Sequence, residues 1–110
     1  MLNKKKFFLA GSAGMLGTSI YEVFNKSVSC FVQDINDKDD HVSYLDFRDY
    51  DMYLNNVKAI NPDYLCHIGA HTDLEYCHNN PKDAFDTNTK SVEHAVEISN
   101  QLNIPLVYIS

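Results

Sequence analysis

Glycine is scarce in this chain, with four in 110 residues. Cations are few as well: nine Lys and Arg stand against fifteen Asp and Glu, a formal charge of −6. A surface that repels phosphate backbones argues against nucleic acid as a general partner. Any phosphate group must then be held locally, by backbone amides. The three cysteines, Cys30, Cys66 and Cys77, are an odd set, and "MLNKKKFFLA" puts too few apolar residues behind its lysines for a secretory leader. A reduced, cytoplasmic setting is expected. No apolar run approaches the roughly 20 residues of a membrane-spanning helix, so a soluble chain without a membrane partner is expected. There is no internal repeat, low-complexity tract or linker. With 45% hydrophobic residues, residues 1–110 make one modest domain or a piece of one.

The apolar residues that are present alternate between two periods. Phe7, Phe8, Leu9 and Ala10 are a continuous run suited to a strand buried on both faces, behind a solvated lead-in at Lys4 to Lys6. Met15, Leu16, Ile20, Val23 and Phe24 then recur at threes and fours, the spacing of one helix face. Ser27 to Asp34 reads as a second strand, followed by a polar loop, and a short third strand lies near Val42 to Leu45. A helix from about Asp49 to Ile60 is ended by Asn61 and Pro62, because a residue before proline is pushed out of the α region. Tyr64 to Ile68 is a fourth strand. From Pro81 one long helix carries Phe85, Val92, Ala95, Val96, Ser99 and Leu102 on one side, and "IPLVYIS" is a fifth strand. Strands and helices in alternation imply parallel βαβ units. The fold class is α/β: an incomplete, Rossmann-type doubly wound parallel sheet of about five strands, with helices on both faces. A sheet stopped at its fifth strand leaves an unpaired edge and uncovered apolar surface.

Three of the four glycines fall in "GSAGMLG", at Gly11, Gly14 and Gly17, where the first strand gives way to the first helix. Such a turn aims free N–H groups and the positive end of a helix dipole at one place, which suits a pyrophosphate. Glycine there allows a tight turn, close backbone approach and close helix packing. The spacing differs from the generic G-x-G-x-x-G, and taken alone it also fits an ordinary glycine-rich turn. Asp34 adds to it. An acidic residue about 20 residues on, ending the second strand, accepts hydrogen bonds from an adenosine ribose and repels a 2′-phosphate, which favours NAD over NADP. Its other reading is an aspartate that opens a polar loop. Gly69, the fourth glycine, falls just past the fourth strand, so all four map to the crevice where strand order reverses.

Together "GSAGMLG", Asp34, the pair Asp46-Phe47, "HIGAHTDLEYCHNNPKDAFDTNT" and "NIPLVYIS" resemble the extended short-chain dehydrogenase/reductases. The nearest branch is that of the dTDP-4-dehydrorhamnose reductases among nucleotide-sugar enzymes. The resemblance runs over nearly the whole chain in matching order. It implies that Gly11, Ala13, Gly14, Met15, Leu16 and Gly17 hold the pyrophosphate of NAD, or of NADP, with Asp34 and Ile35 on the adenosine side. Asp46 and Phe47 would flank the adenine, although Asp46 also reads as a charge capping the helix near Asp49. Ile68, Gly69 and Ala70 would line the ribose and nicotinamide, with Thr72 and Asn88 further positions near the site.

Two departures matter. His67 stands where this branch commonly has Asn, though related epimerases and dehydratases carry His. None of the tyrosines is followed by a lysine four residues later, so the Tyr-x-x-x-Lys pair that donates a proton in the family is missing, and no catalytic residue is assigned. The resemblance thus implies the NAD(P)-binding N-terminal portion of a nucleotide-sugar oxidoreductase, without its catalytic segment and substrate domain and inactive by itself. A nucleotide-sugar substrate belongs only to a longer parent protein, and homo-oligomer formation is left open. The alternatives are an epimerase or dehydratase of the same superfamily, or a non-catalytic NAD(P)-binding regulatory module. A metal site from Cys66, His67, His71, Cys77 and His78 lacks the paired spacing a structural zinc needs, and no metal is expected. A flavodoxin-like domain would have no use for Asp34.

Overall fold

The computed structural model describes residues 4–11, 15–35, 37–68 and 78–109. Five strands, β1 (Lys6–Ala10), β2 (Ser29–Asp34), β3 (Val42–Tyr44), β4 (Tyr64–His67) and β5 (Leu106–Tyr108), form one sheet in the order β3-β2-β1-β4-β5. Every pairing is parallel. The helices are α1 (Met15–Phe24), α2 (Tyr50–Ile60), α3 (Pro81–Phe85) and α4 (Ser91–Leu102), with a π turn, Asp86–Lys90, between the last two. This is an incomplete Rossmann-type α/β sheet, and its order reverses between β1 and β4, as expected. Lys6 is part of β1 rather than lead-in. It stays exposed while its backbone N–H donates to Asp63 Oδ2 at 2.8 Å.

Strand alternation divides the core in two. Phe8, Ala10 and Leu65 face Leu45, Tyr53 and Val57 on the α2 side and Ala95 and Ile98 of α4. Leu9, Val32, Val42 and Cys66 point the other way, onto Ile20 and Tyr21 of α1. Helices therefore cover both faces. Each fully buried Leu, Ile, Val or Phe contributes roughly 1.5–3 kcal/mol over its exposed state, so these two sets hold the sheet's carboxyl edge in place.

Helix ends follow from single residues. The Asp49 carboxylate accepts from the Met52 N–H at 3.1 Å and caps α2, and Asn61, in the left-handed region at φ 51°, closes it by donating to the Val57 carbonyl. The cap is Asp49, not Asp46. Two of the expected helix faces are shifted. On α1, Val23 is 67% exposed and Phe24 45%, because Ile20 and Tyr21 already fill the contact with the sheet. Phe24 is left to stack on Phe7, near the amino end of β1, at 6.5 Å. The long helix from Pro81 is broken by its π turn, a wider winding that holds an extra residue per turn. Its buried line runs Ser91, Ala95, Ile98 and Ser99, and Phe85 and Val96 stand exposed.

Candidate functional site at the carboxyl edge of the sheet

At the end of β1 the N–H of Gly11 donates to the Gln33 carbonyl at 2.8 Å, adding one more rung to the β1–β2 ladder. Its φ of 76° then turns the chain toward α1. A Cβ is penalised in that left-handed conformation, so glycine is required by the turn itself. Gly17 is buried on α1, while Met15 and Leu16 lie in its first turn. That first turn contains no acidic residue, so its positive end is not neutralised from within. Ala13 and Gly14 lie outside the described residues.

The neighbouring strand ends close the same edge. Asp34 ends β2 half-buried, in register with Tyr44, and its carbonyl accepts from the Leu45 N–H at 3.0 Å. Ile35 beside it is 53% exposed, a large apolar side chain turned to solvent at this edge. Asn56 of α2 braces the two strands from below, donating to Gln33 Oε1 at 2.9 Å. Across the reversal point, the N–H of Ile68 donates to the Ala10 carbonyl at 3.0 Å. Gly11 and Ile68 are thus the first residues past the ladder on adjacent strands. Asn88 is half-buried on the π turn. Gly69, Ala70 and Thr72 lie outside the described residues, as do His71 and Cys77.

Behind this edge, residues 46–48 are tied down by charge. Asp46 accepts from the backbone N–H of Arg48 at 3.1 Å and from its guanidinium at 2.9 Å through both carboxylate oxygens, and the same guanidinium reaches Asp83 of α3. The Arg48 guanidinium holds the Asp46 carboxyl below the usual aspartate range. The carboxylate groups in turn raise Arg48. Phe47 between them is half-buried. Its carbonyl lies 3.1 Å from His94 Nδ1, and its ring sits 4.8 Å from that of His67.

His67 lies at the centre of this packing, fully buried. Its Nδ1 shares a hydrogen bond with the Tyr53 hydroxyl at 2.8 Å and its Nε2 one with the Ser91 hydroxyl at 3.2 Å. A neutral imidazole has one donor and one acceptor nitrogen, and a hydroxyl serves either, so both nitrogens are satisfied whichever carries the proton. Burial, with His94 adding to it, lowers His67 to about 4. Cys66, adjacent in sequence, points into the opposite core, where burial and then Cys30 push its thiol up to about 11. A thiol so protonated is a poor nucleophile or metal ligand. Sequence reasoning left His67 without a role and did not single out Tyr53, Ser91, Arg48 or His94. The one local signal was the alternating charge of "DFRD".

A family profile described as RmlD substrate binding domain matches residues 5–110. No curated protein matches the chain in sequence. Among solved structures, the dTDP-4-dehydrorhamnose reductase of Bacillus anthracis, in complex with NADP, is 22% identical over 100% of this chain and 37% of its own, with a TM-score of 0.86. An L-threonine dehydrogenase of Clostridium difficile is 16% identical over 97% of this chain and 36% of its own, TM-score 0.84. The UDP-glucose 4-epimerase of Thermus thermophilus, in complex with NAD, is 18% identical over 90% and 35%, TM-score 0.79. At these identities the likeness is one of fold, and the chain spans about a third of the length of each neighbour. Among the described residues, no helix is long and apolar enough to cross a membrane.

Proposed function

The chain belongs to the RmlD substrate binding domain family, and from that premise we propose that residues 1–110 hold a nicotinamide dinucleotide for a nucleotide-sugar reductase of which they form the N-terminal portion. One observation carries the reading: Gly11, at φ 76°, turns the chain from β1 toward α1, whose first turn has no acidic residue, at the point where strand order reverses, with Asp34 ending the next strand. A side chain at Gly11 would be penalised at this φ, so the turn is kept to glycine. Amides of residues 11–17 would take the pyrophosphate, and Asp34, with Ile35 beside it, would take the adenosine ribose. Asp46 and Phe47 would flank the adenine, and residues 68–70, Thr72 and Asn88 the nicotinamide side. Bound here, the dinucleotide supplies hydride transfer. The carboxylate of Asp34 makes NAD the stronger ligand and NADP the weaker.

Calorimetric titration with NADH and NADPH tests this. NADH is expected to bind more tightly, and Asp34→Ala is expected to lose about tenfold in NADH affinity, as for a charged hydrogen-bonding partner, while NADPH, no longer repelled at its 2′-phosphate, binds more tightly. Equal affinities that Asp34→Ala leaves unchanged would refute the ribose assignment. A second reading is a non-catalytic dinucleotide module, which would bind NADH through the same residues. Neither reading expects the 110-residue chain to reduce a nucleotide sugar. They part on whether the longer protein does so.

A further inference from the structure

The buried side chains behind the carboxyl edge are joined in a way the proposed binding residues do not explain. His67 links three elements: β4, which carries it; α2, through Tyr53; and α4, through Ser91. Both hydroxyls and both ring nitrogens are used, and His67, Tyr53 and Ser91 are all fully buried. The edge of this network is Phe47, whose ring lies 4.8 Å from His67 and 6.4 Å from Tyr53. On the next turn of α4 beyond Ser91, His94 meets the Phe47 carbonyl at 3.1 Å. Phe47 is therefore held at its ring by β4 and α2 and at its backbone by α4. It is also the first residue past Asp46 on the loop that follows β3.

We propose that His67 is a positioning residue for dinucleotide binding, setting through Phe47 the wall against which the adenine rests. This rests on the reading of Phe47 given above. The imidazole touches no part of the ligand; its work is to keep one ring orientation, which its two hydroxyl partners define because each nitrogen has a single partner in line. When either hydroxyl is removed, one ring nitrogen is left buried without a partner. The imidazole then shifts toward another partner and the Phe47 ring loses its backing. A site built on side chains locked by a supporting shell binds less tightly when that shell loosens. The loss falls on the adenosine half of the ligand.

The test compares Ser91→Ala with Ser99→Ala in the full chain. Ser99 is also a buried hydroxyl of α4, but it bonds to the Val96 carbonyl of its own helix and not to His67. Each variant is titrated with NADH and with ADP-ribose, which keeps the adenosine half and lacks the nicotinamide. The His67 ring is followed by nitrogen NMR. Ser91→Ala is expected to lower affinity for both ligands about three- to tenfold, the range of one buried hydrogen bond, and to shift the His67 ring resonances. Ser99→Ala should leave affinity and ring unchanged even where its melting temperature falls as far. Equal affinity losses in the two variants, or none in Ser91→Ala, overturn the positioning role while leaving the dinucleotide reading intact. A wild-type chain that binds neither NADH nor ADP-ribose overturns both.

Discussion

His67 shows how one buried side chain makes the stability of the molecule depend on pH. In the folded chain it titrates at about 4, in the unfolded chain at the ordinary value of 6.5. Between those values the unfolded state binds the extra proton, so stability rises with pH and is lost as pH falls from about 6.5 to 4. At roughly 1.4 kcal/mol per unit, urea unfolding is expected to give about 2–3 kcal/mol less stability at pH 4.5 than at pH 7. In His67→Asn that difference should largely vanish. Asp46 acts below this window. Its folded value is depressed by Arg48, so its contribution is present above the ordinary value of 3.8 and disappears as pH falls further. A wild-type chain as stable at pH 4.5 as at pH 7 would mean that His67 is not buried neutral.

Among the elements, α2 does most to position the edge, since it supplies Tyr53 to His67 and Asn56 to Gln33. Its start depends on Asp49, and Asp49→Ala is expected to cost about 1 kcal/mol, read as a melting temperature lower by several degrees. Asp46→Ala should not act through the helix start, because no cap bond is lost. The sequence carried this helix well. Its length, its Asn61-Pro62 stop and its start near Asp49 were all legible, since each depends on residues within a turn or two. The helix from Pro81 was less so. A π turn does not announce itself in residue spacing, so an α period carried across Asp86–Lys90 put Phe85 and Val96 on the buried side, where the structure has Ser91 and Ile98.

For the molecule as a whole, the two sheet edges differ. At one, β3 is three residues long and lies between runs rich in aspartate. At the other, β5 carries Val107 and Tyr108, each nearly half exposed, with Val96 of α4 also exposed. Among the described residues no strand pairs with the outer edge of β5, and an open edge with apolar side chains is a template for pairing. The 110-residue chain is expected to self-associate as concentration rises, and Val107→Lys to reduce this by placing charge on the edge, measured by sedimentation velocity. Identical sedimentation of the two proteins at every concentration would show that this edge plays no part. The net charge of −6 opposes association without favouring any one face.

The sequence by itself determined the alternation of strand and helix, the parallel order that follows from it, and the placing of Gly11 and Asp34 at one edge. These are legible because strand period, helix period and the need for glycine at a left-handed turn are local properties of the chain. What only the tertiary structure decided is which polar groups meet. Tyr53 and His67 are 14 residues apart and His67 and Ser91 are 24 apart, and neither spacing predicts a bond. By sequence alone Asp46 could have capped the helix; packing assigned that cap to Asp49 and paired the Asp46 carboxylate with Arg48. A hydrogen bond between distant residues needs both groups brought within about 3 Å at a usable angle, and that depends on how helices settle on the sheet rather than on the order of residues along it.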